Sequence, residues 1–313
     1  MAITTKTLNE DAAGIAAAAD ILRAGGLVAL PTETVYGLGA DARQDHAVAR
    51  IFEAKGRPTF NPLIVHVKDI ETARQFVEWP DAADRLASAF WPGPLTLVLP
   101  VKLGTGLSPL VTADLPTLAI RMPAHPLAQS LLQAFGGPIA APSANQSGRI
   151  SPTTPAHVLA GLDGKIDAVL DGGSCDVGLE STIIGLGETP RLLRPGGLPA
   201  APIEAALGAP LEAYAEGNPL NAPGQMGSHY APKAPVRLNA THAEPGELLL
   251  GFGSIEGDLS LSRGGDLIEA AANLFGHLHT LDAKGAPISV APIPESGLGL
   301  AINDRLRRAA APR

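Results

Sequence analysis

The stretch GAPLEAYAEGNPLNAPGQMGSHYAPKAP, residues 208–235, constrains the fold more than any other part of the sequence. Proline lacks a backbone N–H and glycine has no side chain to bury, so a run this dense in both does not read as a core helix or strand. By composition it is a linker. The chain therefore divides into a unit over 1–208, a Pro/Gly-rich linker over 209–235 and a smaller unit over 236–313.

Hydrophobic residues make up 45% of the chain and charged residues 17%, a globular composition. Aromatic residues are 4%, which argues against a platform for stacking single-stranded nucleic acid. The formal charge of −8 disfavours holding a long polyanion over a wide surface, but a local cluster can still bind one small anion. Cys175 is the only cysteine, so there is no intramolecular disulfide and no thiolate zinc cluster. The N-terminal MAITTKTLNEDAAGIAAAADILRAGG carries Glu10, Asp11 and Asp20 and no basic start, so it reads as an amphipathic helix and not a signal peptide. No apolar run reaches about 18 residues. A soluble, cytoplasmic protein with no membrane partner is expected.

Ile15, Ala18, Ala19 and Leu22 recur at helical spacing, and Gly25-Gly26 ends the pattern. LVAL (27–30) follows as a buried strand, and Asp45 is expected to cap a helix through Glu53. LIVHV (63–67), LTLVL (95–99), TLAIR (117–121), PIAA (138–141), DAVLD (167–171), STIIGL (181–186) and RLLR (191–194) read as further strands. Helices are expected near 70–78, 81–90 and 126–135. Early alternation and late strands predict a twisted, mixed α/β sheet. Beyond the linker, strands ELLLGFG (247–253) and PISVA alternate with helices over 266–282 and 294–310, a small α/β domain.

Several strand ends carry polar groups. PTET (31–34) puts two hydroxyls and a carboxylate where open α/β sheets bind ligands, although an edge turn would use the same residues. KGRPTFN places Lys55 and Arg57 around Gly56 and before Pro58; this is either a preformed anion site or a pair of helix-end cations. His66 shares a strand face with Ile64, opposite Leu63, Val65 and Val67, and a core role competes with a ligand role. Arg121 ends an apolar strand and needs an anionic partner, from a ligand or from the chain. APSAN spaces Ser143 and Asn145 onto one face, LEST sets hydroxyls and a carboxylate at a strand start, and LLRPGG holds Arg194 before two glycines. GLGADA (37–42) fits a dinucleotide fingerprint, weakened by PTETVY intervening after the strand; no P-loop pattern exists. Taken together, these groups suit binding a phosphorylated ligand beside a small carboxylate and positioning the two.

PTETVYGLGADA, KGRPTFNPLIVH, WPGPLTLVL, AIRMPAHP, APSAN, GLESTII and LLRPG, in this order, closely resemble the YrdC-like threonylcarbamoyl-AMP synthases. GSHYAPKAP and GLGLAINDRLRRAA extend the resemblance to the longer, two-domain branch. The resemblance implies a YrdC-like sheet around a concave, positively lined cavity, followed by a smaller Rossmann-like domain. It implies a reaction: L-threonine, bicarbonate and ATP give L-threonylcarbamoyl-AMP and pyrophosphate, assisted by Mg²⁺ and with no tightly bound organic cofactor. The product would pass to a separate tRNA-modifying transferase system acting next to the anticodon. By motif, Thr34, His66, Arg121, Ala141 and Ser181 would contact threonine, whose carboxylate would be the anion for Arg121. Lys55, Arg57, Asn61, Thr117, Ser143, Asn145, Ser151, Arg194 and Tyr230 would hold ATP, with Lys55 and Arg57 as candidates for catalytic charge neutralisation. Tyr230 of HYAP would close over the nucleotide. Neither the metal ligands nor a base is named by these motifs. The competing reading is an RNA-binding factor using a positive cavity, with direct tRNA contact; the acidic total and few aromatics count against it. A carbamoyl-adenylate module of a hydrogenase-maturation protein would sit in a larger chain.

Overall fold

A computed structural model describes residues 4–213 and 229–312. Most of the linker expected over 209–235 lies outside the described residues. No helix among them is long and apolar enough to cross a membrane.

The larger sheet has eleven strands in the order Lys6–Leu8, Ala168–Leu170, Val28–Leu30, Gly37–Asp41, Ile139–Ala140, Ile64–His66, Thr117–Arg121, Leu95–Pro100, Thr182–Leu186, Pro190–Arg194 and Glu212–Ala213. It is mixed. Ile64–His66 runs parallel to Thr117–Arg121, whereas Leu95–Pro100 runs antiparallel to it. These strands are buried on both faces, which explains their nearly continuous apolar character. Their alternation still separates two environments. Leu63, Val65, Val67, Leu97, Leu118 and Ile120 point into the main core with helix residues Val48 and Ile51. Ile64, Val98, Ala119, Ile183 and Leu193 form a separate apolar patch on the other face. His66 and Arg121 continue that second face.

Two sequence expectations change. Gly37–Asp41 is a strand paired antiparallel with both neighbours, so GLGADA does not open a helix and the dinucleotide fingerprint has no structural basis here. Gly39 is glycine because a Cβ would lie 2.9 Å from Leu30 Cδ2 and 3.0 Å from Ile139 Cγ2. The helix over 45–55 begins at Asp45 itself, with Gln44 in the cap position and making no side-chain cap bond. The Asp45 carboxylate instead sits in the first turn, where the helix dipole favours it. That helix ends at Gly56, left-handed at φ 59°, and the reversal delivers Arg57 towards the sheet.

The second domain has a four-stranded parallel sheet, Val236–Arg237, Ile288–Val290, Leu248–Gly251 and Leu259–Ser260 in order, with helices Leu267–Asp282 and Leu298–Ala310. Its core does not stop at the linker. Leu250, Leu274, Phe275, Ile302 and Leu306 cluster with Tyr230 and with Val35, Ile150 and Leu179 of the first unit.

Truncating the central strand should be costly. Ile120→Ala is expected to lower unfolding free energy by about 2–5 kcal/mol, read from the urea midpoint. Leu103→Ala, fully exposed, should stay within about 0.5 kcal/mol.

Candidate active site

Pairing of His66 with Arg121 in parallel register sets both side chains side by side at the carboxyl ends of their strands. Arg121 is buried and committed on three N–H groups. Its Nε donates to Gly93 O at 3.1 Å, one terminal nitrogen to Thr34 Oγ1 at 2.9 Å, and the other to Glu33 Oε1 at 2.5 Å. The second Glu33 oxygen accepts from the Ala124 amide at 3.0 Å. Arg121 thus already has an anionic partner within the chain, the carboxylate of PTET. A guanidinium has five donors, so one N–H on each terminal nitrogen remains for a ligand carboxylate.

Around this guanidinium the hydroxyls are pre-oriented. Thr32 and Thr34 share a hydrogen bond at 2.8 Å, and Thr96 and Ser181 another at 2.7 Å. The Ala141 amide donates to Ile64 O at 2.9 Å, holding Ala141 beside the same face. His66 Nδ1 is buried with no partner. Burial, reinforced by the charge of Arg121, pushes the His66 pKa down to about 3, so the imidazole is neutral at physiological pH. A neutral ring with an orphaned nitrogen is matched to a polar ligand atom.

The other half of the cavity carries Arg57 and Arg194, 8% and 5% exposed, with Lys55, 3% exposed, buried behind its wall. Lys55 Nζ donates to the carbonyls of Ser143 and Asn145, each at 2.5 Å. Arg57 donates to Asn61 O at 3.2 Å and Pro62 O at 2.8 Å, and Arg194 to Ser181 O at 2.8 Å. Among the described residues, neither Lys55 nor Arg57 forms an ion pair. Burial drives the Lys55 pKa well below its ordinary value, with the Arg57 charge adding to it, and brings Arg57 down to about 10. A bound anion would relieve that penalty for both.

Glu180, the carboxylate of LEST, lines the same cavity. It accepts from Ser151 Oγ at 2.5 Å and from Arg305 Nε at 2.9 Å. Burial alone would raise its pKa, but the charges of Arg305 and Arg194 hold it below the usual value. His229 and Tyr230 form the remaining wall, their rings 4.1 Å apart. The segment is tied to both domains: His229 N–H donates to Arg308 O at 3.3 Å and Ala231 N–H to Gly148 O at 2.9 Å. Tyr230 has φ 60°, a left-handed conformation that costs energy for a non-glycine residue and marks functional segments.

The cavity therefore unites Thr34, His66, Arg121, Ala141 and Ser181 with Arg57, Ser143, Arg194 and Tyr230. Its free volume is about 50 Å³, room for a few waters, whereas ligand pockets run to roughly 300–1,000 Å³. The remaining expected nucleotide residues do not line it. Lys55 stands behind Ser143, Asn61 contributes its carbonyl to Arg57, and Ser151 is reached through Glu180. Thr117 lies at the opposite end of its strand, in a groove with Val98 and Leu193 that the apolar sheet patch connects to Ile64. Asn145 turns its amide to Gln146 O and Arg149 O, and its Oδ1 is buried without a partner. No three His, Cys, Asp or Glu side chains converge as metal ligands among the described residues. Glu33, Glu180 and Arg305 are the site residues that motif reading did not single out; carboxylates inside PTET and LEST were the available signal for the first two.

A neutral polar cup beside a buried cation cluster, at the strand ends of a mixed sheet, defines an α/β protein that holds a small polar molecule next to a phosphorylated one. Comparison with known proteins agrees. A family model for Sua5, YciO and YrdC, described as telomere recombination, matches residues 20–196, and one described as the threonylcarbamoyl-AMP synthase C-terminal domain matches 199–311. The threonylcarbamoyl-AMP synthase of Pyrococcus abyssi is 44% identical over 93% of this chain and 92% of its own, and that of Bacillus subtilis 42% over 99% and 96%. The crystal structure of P. abyssi Sua5 complexed with L-threonine superposes with a TM-score of 0.90 at 41% identity, covering 98% of this chain and 97% of that one. Escherichia coli YciO shares the fold, with a TM-score of 0.55 at 24% identity over 62% of this chain and 96% of its own. The chain belongs to the Sua5/YciO/YrdC family and carries the C-terminal domain of its threonylcarbamoyl-AMP synthases.

The buried histidines predict acid sensitivity. His66 is held to a pKa of about 3 and His157 to about 4, the latter by burial and by its stacked neighbour His279, against about 6.5 when unfolded. The unfolded chain binds more protons between those values, so stability is full above about pH 6.5 and falls as pH drops towards 4. From pH 7 to pH 5, His66 alone should cost about 2 kcal/mol. Urea midpoints at the two pH values, for wild type and His66→Gln, check this; the variant should lose less.

Proposed function

We propose that this protein is a threonylcarbamoyl-AMP synthase, converting L-threonine, bicarbonate and ATP into L-threonylcarbamoyl-AMP and pyrophosphate. The observation that carries the reading is the abutment, within one cavity, of the Arg121–Thr34–His66 cup and the Arg57–Arg194 pair, with Lys55 held behind Ser143. The L-threonine complex of the P. abyssi relative supports assigning the cup to the amino acid.

The two spare N–H groups of Arg121 take the threonine carboxylate, with Thr34 alongside, and neutral His66 meets a polar atom of the same substrate. Holding threonine there leaves its amine to attack bicarbonate-derived carbon, which forms the carbamate and releases water. A carbamate oxygen then attacks the α-phosphorus of ATP, and pyrophosphate departs. Neither step needs a covalent enzyme intermediate; alignment and charge neutralisation suffice. Arg57, Lys55 and Arg194 supply positive charge to the leaving pyrophosphate in a water-poor setting, where each fixed charge acts more strongly. Mg²⁺ would enter on the ATP phosphates, held mainly by them and by water, since no three His, Cys, Asp or Glu side chains converge as metal ligands among the described residues. Seating ATP would need a shift of the wall that His229 and Tyr230 form, since the free volume is about 50 Å³. The product is an activated carbamoyl donor, suited to transfer onto an adenosine amine of tRNA by a separate transferase. Cations this deeply buried offer no surface to a polyanion, which disfavours an RNA-binding role.

Pyrophosphate release from ATP and bicarbonate should depend on L-threonine. Equal release with L-serine, or with no amino acid, would overturn the assignment. Arg57→Ala should lower kcat/KM for ATP about 100-fold and change KM for threonine less than about twofold; unaltered ATP kinetics would return Arg57 to a loop-structuring role.

A further inference from the structure

One side chain of the second domain, that of Arg305, meets two residues that line the cavity, Glu180 and Tyr230. Arg305 lies on helix Leu298–Ala310 and is 0% exposed, a rare condition for arginine. Its partners are mostly not its own domain's. Nε donates to Glu180 at 2.9 Å and a terminal nitrogen to Pro195 O at 2.7 Å, both from the first unit, and that nitrogen also meets Asp304 at 2.9 Å. The guanidinium carbon sits 5.2 Å from the centre of the Tyr230 ring. Glu180 and Tyr230 both line the cavity, and Glu180 passes its second oxygen to Ser151.

A buried carboxylate facing a polyanion site is an electrostatic contradiction unless another group absorbs its charge. Arg305 does so while leaving Glu180 able to accept from Ser151. We propose that Arg305 is a positioning residue for the nucleotide half of the site: it cancels the Glu180 charge, fixes the Glu180–Ser151 hydrogen bond and backs the Tyr230 ring, so that the C-terminal domain completes the ATP pocket. This rests on assigning ATP to the cation cluster.

The test is steady-state pyrophosphate release with ATP and threonine varied separately, beside melting curves. Arg305→Gln leaves Glu180 buried without its hydrogen-bonded countercharge, with only the charge of Arg194 to offset it, and should raise KM for ATP at least about tenfold while KM for threonine moves less than about twofold. The double variant Glu180→Gln/Arg305→Gln keeps an acceptor for Ser151 and removes both charges of the pair together, while Asp304 keeps its pair with Arg308. It should bring KM for ATP back to within about threefold of wild type. Arg307→Gln, at an exposed residue of the same helix that pairs with Glu295 ahead of it, should change neither constant. If Arg305 only glues the domains together, the single variant loses melting temperature and active fraction with both KM values unchanged, and the double variant shows no recovery. Either result, in enzyme whose wild type releases pyrophosphate on threonine addition, overturns the positioning role and leaves the proposed reaction standing. A double variant as impaired towards ATP as the single one overturns the charge-cancelling account even if the single variant fails to fold.

Discussion

Three cationic side chains, Arg57, Arg121 and Arg194, line one cavity out of water, and Lys55 and Arg305 are buried behind its wall, in a molecule whose net charge is −8. Desolvating a charge is among the largest penalties a fold can carry. Backbone carbonyls satisfy the hydrogen bonds of Lys55 and Arg57 without neutralising them, and the depressed pKa values of both record that imbalance. The rest of the structure serves to hold this arrangement in place. Gly56 turns the helix end inward, the sheet provides an apolar floor from Ile64 to Leu193, and His229 with Tyr230 closes the remaining wall.

The amino-acid half rests on different physics. Parallel register, not charge, sets His66 beside Arg121, and the Glu33 carboxylate holds the guanidinium so that two of its donors remain. The two halves then meet through Ser181, whose hydroxyl bonds Thr96 and whose carbonyl accepts from Arg194. The second domain is continuous with this construction, since Tyr230, Ile150 and Leu179 share its core. Its contribution is not an independent globule at the end of a tether but the backing of two wall residues, Glu180 and Tyr230.

Much of this was legible in the sequence where local chemistry and position coincide. Period-two alternation over 63–67 separates His66 and Ile64 from the core-facing Leu63, Val65 and Val67, and the strand bears that out. The ends of the Asp45–Lys55 helix were less legible, because a residue as poor at capping as Gln44 carries no signal. GLGADA illustrates an ambiguity of pattern: its glycines answer to close strand packing at Leu30 and Ile139, which no spacing rule distinguishes from a phosphate turn. Helices Pro155–Leu162 and Ala200–Leu207 escape periodicity because they are two turns long. The partners of Arg121 and Glu180 were not legible at all. Arg121 and Glu33 lie 88 positions apart, and Glu180 and Arg305 lie 125 apart, so only the folded topology brings them together.

The central claim is that one interior joins an amino acid, carbon from bicarbonate and a nucleotide. The most direct measurement is incubation of the protein with ATP, L-threonine and radiolabelled bicarbonate, followed by chromatography of the nucleotides. The account predicts a new adenylate that carries the label and the threonine together, with pyrophosphate formed in equal amount. Label remaining in bicarbonate, or ATP broken down to ADP and phosphate, would contradict it.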